Sequence, residues 1–210
     1  MISTKYIVQV LSYAALLFFA VLMLQITLQY IPLDMDVAFL RIKQDVISYR
    51  FYQIAFFTHV YTSMFALIAG FTQFSLRFRT KNKEVHRLFG KVYMIVVLLL
   101  SGPSGLVMGI FANGGIMSQI AFVVLAVLWW CFTFRAFILI KKRDIEKHRQ
   151  FMIRSFALTL SAVTLRLWKL GLTNTIDIKP MDAYRIIAWL GWVPNLLIAE
   201  MYIRLRTFGQ

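Results

Sequence analysis

The sequence is poor in the side chains that build most catalytic and metal centres. It contains one cysteine, three histidines and nine acidic residues in 210 positions. Because Cys131 stands alone, an intramolecular disulfide and a cysteine-based metal cluster are both excluded. The sequence also lacks a nucleophile–base pair, a paired-carboxylate site and a phosphate-binding glycine loop at usable spacing. Hydrolytic catalysis is therefore not expected.

Long apolar runs are abundant instead, since 60% of the residues are hydrophobic. A helix needs roughly 20 residues to cross a hydrocarbon core of about 30 Å. Runs that meet this length occupy residues 6–29, 52–76, 88–111, 116–140, 150–170 and 184–204. They lack the alternation of a barrel strand, and backbone groups in lipid must be hydrogen-bonded internally. The sequence thus predicts an all-α, polytopic bundle of six transmembrane helices that forms one domain over residues 1–210.

The distribution of the +14 net charge predicts an orientation. Lys and Arg concentrate at the termini and in the loops after the second and fourth apolar runs, and basic loops tend to stay in the cytoplasm. Both termini are therefore predicted to be cytoplasmic, in a bacterial inner membrane. Basic residues at membrane borders favour anionic lipid headgroups as partners. Nucleic acid is not expected as a partner, because no recognition module is visible.

One short pattern, Glu-x-His-Arg-x-Phe, occurs at residues 84–89 and again 62 residues later at 146–151. Each copy precedes an apolar run in a helical hairpin, and the two hairpins, helices 2–3 and 4–5, have the same direction. The sequence therefore predicts a parallel pseudo-repeat with His86 and His148 at one depth. An anchoring role needs no chemistry, because the acid suits the positive helix start and the arginine reaches the headgroups.

A cofactor site is the alternative interpretation of the repeat. If the two imidazoles converge, His86 and His148 would ligate haem b or a metal ion through neutral nitrogens. Four arginines near the same border are candidates for binding an anionic group such as a propionate, a quinone headgroup or a lipid phosphate. They are Arg87, Arg149, Arg154 and Arg135.

His59 is predicted to form a separate site. It lies inside helix 2, roughly 25 Å in depth from His86 at 1.5 Å per residue, so one metal cannot bind both. An ionisable residue at such a depth suggests a function, either as a ligand or proton relay. A neutral histidine hydrogen-bonded between helices is the structural alternative. Tyr61, Thr58 and Arg166 are its predicted polar partners.

Glu200 is the one acidic residue well inside an apolar run. A carboxylate there needs a cationic partner, since burying it alone would cost several kcal/mol. The local candidate is Arg204, four residues later on the same helix. The distant candidates are Arg154 and Arg135.

Pro103 predicts a kink in helix 3, because proline removes a backbone hydrogen bond. Ser101 or Ser104 is expected to satisfy the freed carbonyl. No comparable break is visible at the matching position of the second hairpin, which counts against a transporter.

The stretch from His59 to Arg166 resembles a prokaryotic family of predicted membrane proteins called domain of unknown function 2306. The likeness covers about residues 55–170 and rests on two patterns, His-Arg-x-x-Gly-x-x-Tyr from His86 and His-Arg-x-x-Met-x-Arg-Ser from His148. The resemblance implies a membrane protein whose family has no established activity, substrate or cofactor. It also implies that these histidines and arginines are typical of the family.

Three functions remain open from the sequence. The first is a membrane redox protein with a haem or metal held by His86 and His148. The second is a small transporter or a protein that binds lipid or another anionic headgroup. The third is an accessory or scaffolding subunit, in a homo-oligomer or a membrane complex, for which small residues on helix faces suffice.

Overall fold

The computed structural model describes residues 4–74, 80–175 and 177–208, and the regular elements within these ranges are helical. The all-α prediction is confirmed. The long helices are labelled α1 to α6 in chain order. They are α1 Thr4–Leu28, α2 Arg50–Phe74, α3 Lys83–Ile110, α4 Ile116–Lys141, α5 Ile145–Thr175 and α6, which comprises Pro180–Leu190 and Val193–Phe208. A short 3-10 helix, Ala38–Ile42, lies between α1 and α2.

Five of these helices, α2 to α6, are long and apolar enough to cross a membrane, which confirms a multi-pass membrane protein. The remaining predicted span, residues 6–29, corresponds to α1, where Leu17–Leu28 forms a shorter apolar helical section. Helix α5 begins at Ile145, before the predicted apolar run, because the polar repeat forms its first turns. Residues 75–79, which include the last two positions of the second predicted run, lie outside the described part of the chain.

The helices pack as a central group of four with one helix on each side. Helix α2 packs on α3, α3 on α4 and α4 on α5, while the first section of α5 returns to α2. Helix α1 lies against α2, and α6 lies against α4 and α5. The 62-residue repeat is visible in this layout, since α3 begins at Lys83 and α5 begins at Ile145. Tyr93, Trp129, Met152 and Leu158 lie together in the core between them.

A π-helical segment, Val96–Ser101, interrupts α3 just before Pro103. In a π-helix the N–H of a residue bonds to the carbonyl five positions earlier, as Gly102 does to Val97. The next bond of this pattern would join the N–H of residue 103 to the carbonyl of Leu98, but Pro103 has no N–H. The indole Nε1 of Trp130 on α4 donates to it at 3.0 Å.

The serine prediction for this kink is therefore wrong. The Oγ of Ser104 donates to the carbonyl of Leu100 at 2.6 Å. The Oγ of Ser101 lies 2.8 Å from the hydroxyl of Thr62 on α2. The freed carbonyl therefore accepts a hydrogen bond from the neighbouring helix α4 and not from either serine.

Helix α5 is also interrupted, between its sections Ile145–Thr159 and Ser161–Thr175. The interruption is at Leu160, which follows Leu98 by the same 62 residues that separate the two histidines. Leu160 nevertheless keeps right-handed helical angles, and the N–H groups of Leu160 and Thr164 donate to the carbonyls four residues earlier. This is a one-residue irregularity and not a half-helix break, so the prediction that the second hairpin lacks such a break is not contradicted. Nothing in the sequence marks the irregularity, because no proline or glycine occurs between Ile145 and Leu170.

The connector between α1 and α2 is tied to the end of α3 by a buried lysine. The Nζ of Lys43 donates to the carbonyl of Phe111, and the side chain is almost fully enclosed. Burial lowers the pKa of Lys43, and the nearby Asp45 opposes this shift. The turn from α3 to α4 uses positive φ angles at Gly114 and Gly115, a conformation in which glycine avoids the steric cost of a side chain.

Candidate functional site

The two histidines of the repeat occupy corresponding positions in the first turns of α3 and α5. The backbone N–H of His86 donates to Asn82 at 3.1 Å, and that of His148 donates to Asp144 at 2.9 Å. The Nδ1 of His148 lies 2.8 Å from the carbonyl oxygen of Ala136 on α4. The carbonyl of His86 accepts from the side-chain amide of Gln73 on α2 at 3.0 Å. Each helix start is thus fastened to the preceding helix of its own hairpin.

The faces of α3 and α5 that carry these histidines are the faces that meet deeper in the bundle. Tyr93 follows His86 by seven residues, and Ser155 follows His148 by seven. Seven residues are about two helical turns, so each pair shares a helix face. The hydroxyl of Tyr93 lies 2.7 Å from the Oγ of Ser155. This contact therefore joins equivalent positions of the two repeats, roughly 10 Å along the helices from the histidines.

Tyr93 and Ser155 belong to a buried hydroxyl network. Tyr93 also lies 2.7 Å from the hydroxyl of Thr159. Ser155 lies 2.6 Å from the hydroxyl of Thr133, and the indole of Trp129 donates to Thr159 at 3.0 Å. All five side chains are buried, and buried polar groups are stable only when they are hydrogen-bonded.

Sequence reasoning missed this network as a unit. In the sequence, Tyr93 and Ser155 stand out only as members of the two patterns that carry the family resemblance. The sequence nevertheless contains a signal for the network. Tyr93 and Ser155 are separated by the 62-residue period of the repeat, and hydroxyl side chains occur one turn apart at positions 155 and 159.

Arg154 forms an ion pair with Glu200. The guanidinium Nε and Nη2 donate to the two carboxylate oxygens at 2.5 and 2.9 Å, a bidentate arrangement. Arg154 also lies over the ring of Phe151, 5.0 Å from its centroid. Of the predicted partners of Glu200, the hydrogen-bonded one is therefore the distant Arg154 and not Arg204. Arg154 acts here as a tie between α5 and α6.

The other predicted anion-binding arginines lie nearer the surface. Arg149 is 3.6 Å from Glu146, one turn earlier on α5. Arg87 and Arg135 are exposed, and within the described ranges neither forms an ion pair. Two of the four arginines thus already have carboxylate partners.

His59 lies apart from the repeat, against the π-helical segment of α3. Its Nδ1 is 2.9 Å from the carbonyl oxygen of Ser101. Its ring lies against Gly105, where an added Cβ would come within 2.9 Å of the ring Cε1. This hydrogen bond joins His59 to Ser101 and not to the predicted partners Tyr61, Thr58 or Arg166, because the π-helical turn brings the Ser101 carbonyl to the ring. Arg166 instead donates to the carbonyl of Ala162 in its own helix.

The donor set limits the kind of metal site that the chain can offer. Among residues 4–74, 80–175 and 177–208 there is no group of three or more His, Cys, Asp or Glu side chains that could hold a metal ion. A structural zinc site normally uses four protein ligands. Within the described residues, any cofactor at the repeat must therefore be one that needs few protein ligands.

Comparison with known proteins places the chain in a family but gives no function. Neither the curated proteins nor the solved structures contain a match to it. A family model described as "Predicted membrane protein (DUF2306)" matches residues 56–203, which extends the sequence resemblance from helix α5 through most of α6. This match covers more than half of the chain and both copies of the histidine repeat. The chain belongs to the DUF2306 family of predicted membrane proteins.

Proposed function

We propose that this integral membrane protein is an electron-transfer protein that holds a haem between His86 and His148. The observation that carries the proposal is the contact of Tyr93 with Ser155 at 2.7 Å. Because each of these residues shares a helix face with one histidine, the contact supports a convergence of the two imidazoles near the axis that relates the hairpins.

Haem is favoured over a bare metal ion by the small number of ligands. A haem would bring its own ring nitrogens to the iron, so His86 and His148 would suffice as its protein ligands. Histidines that ligate a metal usually donate their other ring N–H to a carbonyl or a carboxylate, which fixes the orientation of the ring. The Nδ1 of His148 is placed to donate in this way to Ala136, and the neutral ring then keeps the lone pair of Nε2 for a ligand.

The surroundings of the histidines fit a cofactor with acidic substituents. Arg87 and Arg149 directly follow the histidines in sequence and lie at the same ends of α3 and α5. Each would bind a propionate, or the phosphate of an anionic headgroup when no propionate is in reach. The basic loops on this side support a cytoplasmic location for the site, in a bacterial inner membrane with both termini inside.

An absorbance spectrum of the purified protein tests the proposal. The full chain is expressed with haem supplied, purified in mild detergent, and compared with His86→Ala, His148→Ala and the matched control His59→Ala. We expect a Soret band in the native chain that is retained by the control. In either repeat variant the amount of haem bound per polypeptide should fall at least ten-fold, because ligation by two imidazoles needs both rings.

Two results would contradict the proposal. One is a native chain that remains colourless after haem is supplied. The other is equal haem retention in the native chain and in both repeat variants. Elution at the same volume in size-exclusion chromatography and an unchanged helical circular dichroism spectrum establish that each variant is folded.

A second candidate function, a small transporter, is favoured by backbone irregularities at equivalent positions of the two repeats, the π-helical segment Val96–Ser101 of α3 and Leu160 of α5. Discontinuous helices at the interface of two repeats are typical of transporter substrate sites. Hydrogen exchange in lipid nanodiscs tests this function. If the protein is a transporter, the backbone amides of residues 96–101 and 158–163 should exchange with solvent faster than the amides of the regular helix on either side. Equal protection of the amides in both segments and in the flanking helix would count against this function.

An accessory or scaffolding role remains the third candidate. It is supported only by exposed apolar side chains such as Leu99 and Leu197, which a lipid-facing surface also requires. Co-purification of a second membrane protein, or a homo-oligomer in detergent, would favour it over the first two functions.

A further inference from the structure

Arg166 lies in a cleft at the opposite end of the bundle from the histidine repeat. The cleft is about 220 Å³ and separates α1 from the second section of α5. Arg166 follows His148 by 18 residues on the same helix, which is roughly 27 Å along the axis. The two sites therefore lie near opposite surfaces of the membrane, and a ligand of one cannot reach the other.

The cleft carries a positive charge that the protein does not neutralise. Arg166 donates one N–H to the carbonyl of Ala162, one turn earlier on α5. No carboxylate within residues 4–74, 80–175 and 177–208 forms an ion pair with it. A guanidinium has further donors in a planar fork that matches the oxygens of a phosphate. An anionic ligand in the cleft would gain charge-assisted hydrogen bonds from these donors.

The walls of the cleft change from polar to apolar along α1. Gln25 and Gln29 line it near the end of the helix, one turn apart, and offer amide donors beside Arg166. Phe19, Leu22 and Met23 line its deeper part. Polar groups near the membrane surface with an apolar channel beneath them match the layout of a phospholipid, whose charged headgroup stands above its acyl chains.

We propose that this cleft binds one anionic phospholipid. The phosphate accepts hydrogen bonds from Arg166 and from the amide of Gln25 or Gln29, and one acyl chain lies between α1 and α5 along Phe19 and Leu22. Free phosphate shares the headgroup chemistry but would leave the apolar part of the cleft unfilled. A phospholipid satisfies both parts and also fills the gap between α1 and α5.

Lipid retention by the full chain tests this site. The protein is purified from vesicles of phosphatidylglycerol and phosphatidylcholine, and the bound lipid is measured by native mass spectrometry. Three variants are compared with the native chain. Arg166→Gln removes the charge, Leu22→Trp fills the channel but keeps the arginine, and Lys169→Gln removes an exposed charge three residues later on α5 that does not line the cleft.

We expect one phosphatidylglycerol per chain in the native protein and in Lys169→Gln. Arg166→Gln and Leu22→Trp should each lower this retention at least five-fold. Equal retention in Arg166→Gln and the native chain would overturn the proposal. An equal loss in Arg166→Gln and Lys169→Gln would also overturn it, since it would show general attraction to anionic lipid. Displacement of the lipid by millimolar inorganic phosphate would show that the site holds an ion and no acyl chain.

Discussion

Removing the hydroxyl of Tyr93 should destabilise the protein measurably without distorting it. Tyr93→Phe keeps the ring in the core and deletes the hydrogen bonds to Ser155 and Thr159, both 2.7 Å long. It also removes a long 3.4 Å contact from the indole of Trp129, which keeps its 3.0 Å bond to Thr159. Interhelical hydrogen bonds in membrane proteins contribute about 0.6 kcal/mol on average, so two of them amount to about 1.2 kcal/mol. Ser155 keeps Thr133 as a partner and Thr159 keeps Trp129, so no buried group loses all of its hydrogen bonds.

Unfolding by SDS titration in mixed micelles measures this free energy, and thermal unfolding supports it. A protein of this size changes its Tm by about 2–4 °C for each kcal/mol, so Tyr93→Phe should lower the Tm by about 2–5 °C. Tyr202→Phe is the matched control. Tyr202 is exposed, and among the described residues its hydroxyl donates to no neighbour, so the control should leave the Tm unchanged.

A double-mutant cycle with Ser155→Ala tests the contact itself. If Tyr93 and Ser155 interact across the repeat axis, the loss in the double variant should be smaller than the sum of the single losses by about 0.6 kcal/mol. Strict additivity, or a Tyr93→Phe protein as stable as the control, would refute the geometry on which the convergence of the histidines depends.

Three further predictions concern other parts of the fold. Glu200→Gln should destabilise the protein by about 1–3 kcal/mol in SDS titration, because it leaves the half-buried guanidinium of Arg154 without its carboxylate. Its control is Glu146→Gln, which removes an exposed pair at 3.6 Å and should change the stability by less than about 0.5 kcal/mol. Gly70→Ala should destabilise by about 1–3 kcal/mol, since its Cβ would lie 2.2 Å from the ring of Phe156, and Phe156→Leu should restore part of the loss. Hydrogen bonds from the backbone and side chain of Lys147 lower the pKa of Asp144, so the ionised carboxylate stabilises the fold at pH values above the usual pKa of an aspartate. That contribution should be lost as the pH falls through the folded pKa, and Asp144→Asn should lack this part of the pH dependence of Tm.

The helices, the repeat and the positions of the histidines at two helix starts could be predicted because they depend on local sequence patterns. Apolar runs of about 20 residues mark spans wherever they occur, and a repeated pattern fixes equivalent positions without any knowledge of packing. The apolar run begins five residues after the start of α5, because the first turns of this helix are polar. Even so, the repeat itself correctly marked where α3 and α5 begin.

The partners of polar groups could not be predicted in the same way. For Glu200 the sequence offers Arg204 at helical spacing, but the partner is Arg154, 46 residues away. The choice depends on which faces of α5 and α6 meet. The carbonyl of Leu98 likewise finds Trp130 from a neighbouring helix and not a nearby serine. The irregularity at Leu160 also has no sequence marker, since no proline or glycine lies near it.

The contact between Tyr93 and Ser155 also shows what a covalent link between the two hairpins makes possible. In a symmetric homodimer of hairpins, a residue at the two-fold axis meets a copy of itself, so both sides must have the same size. Two tyrosines at this point would compete for one space, and two serines would leave a void. A single chain can place a large side chain opposite a small one, so the centre of this bundle is filled by an unequal pair that two identical subunits could not provide.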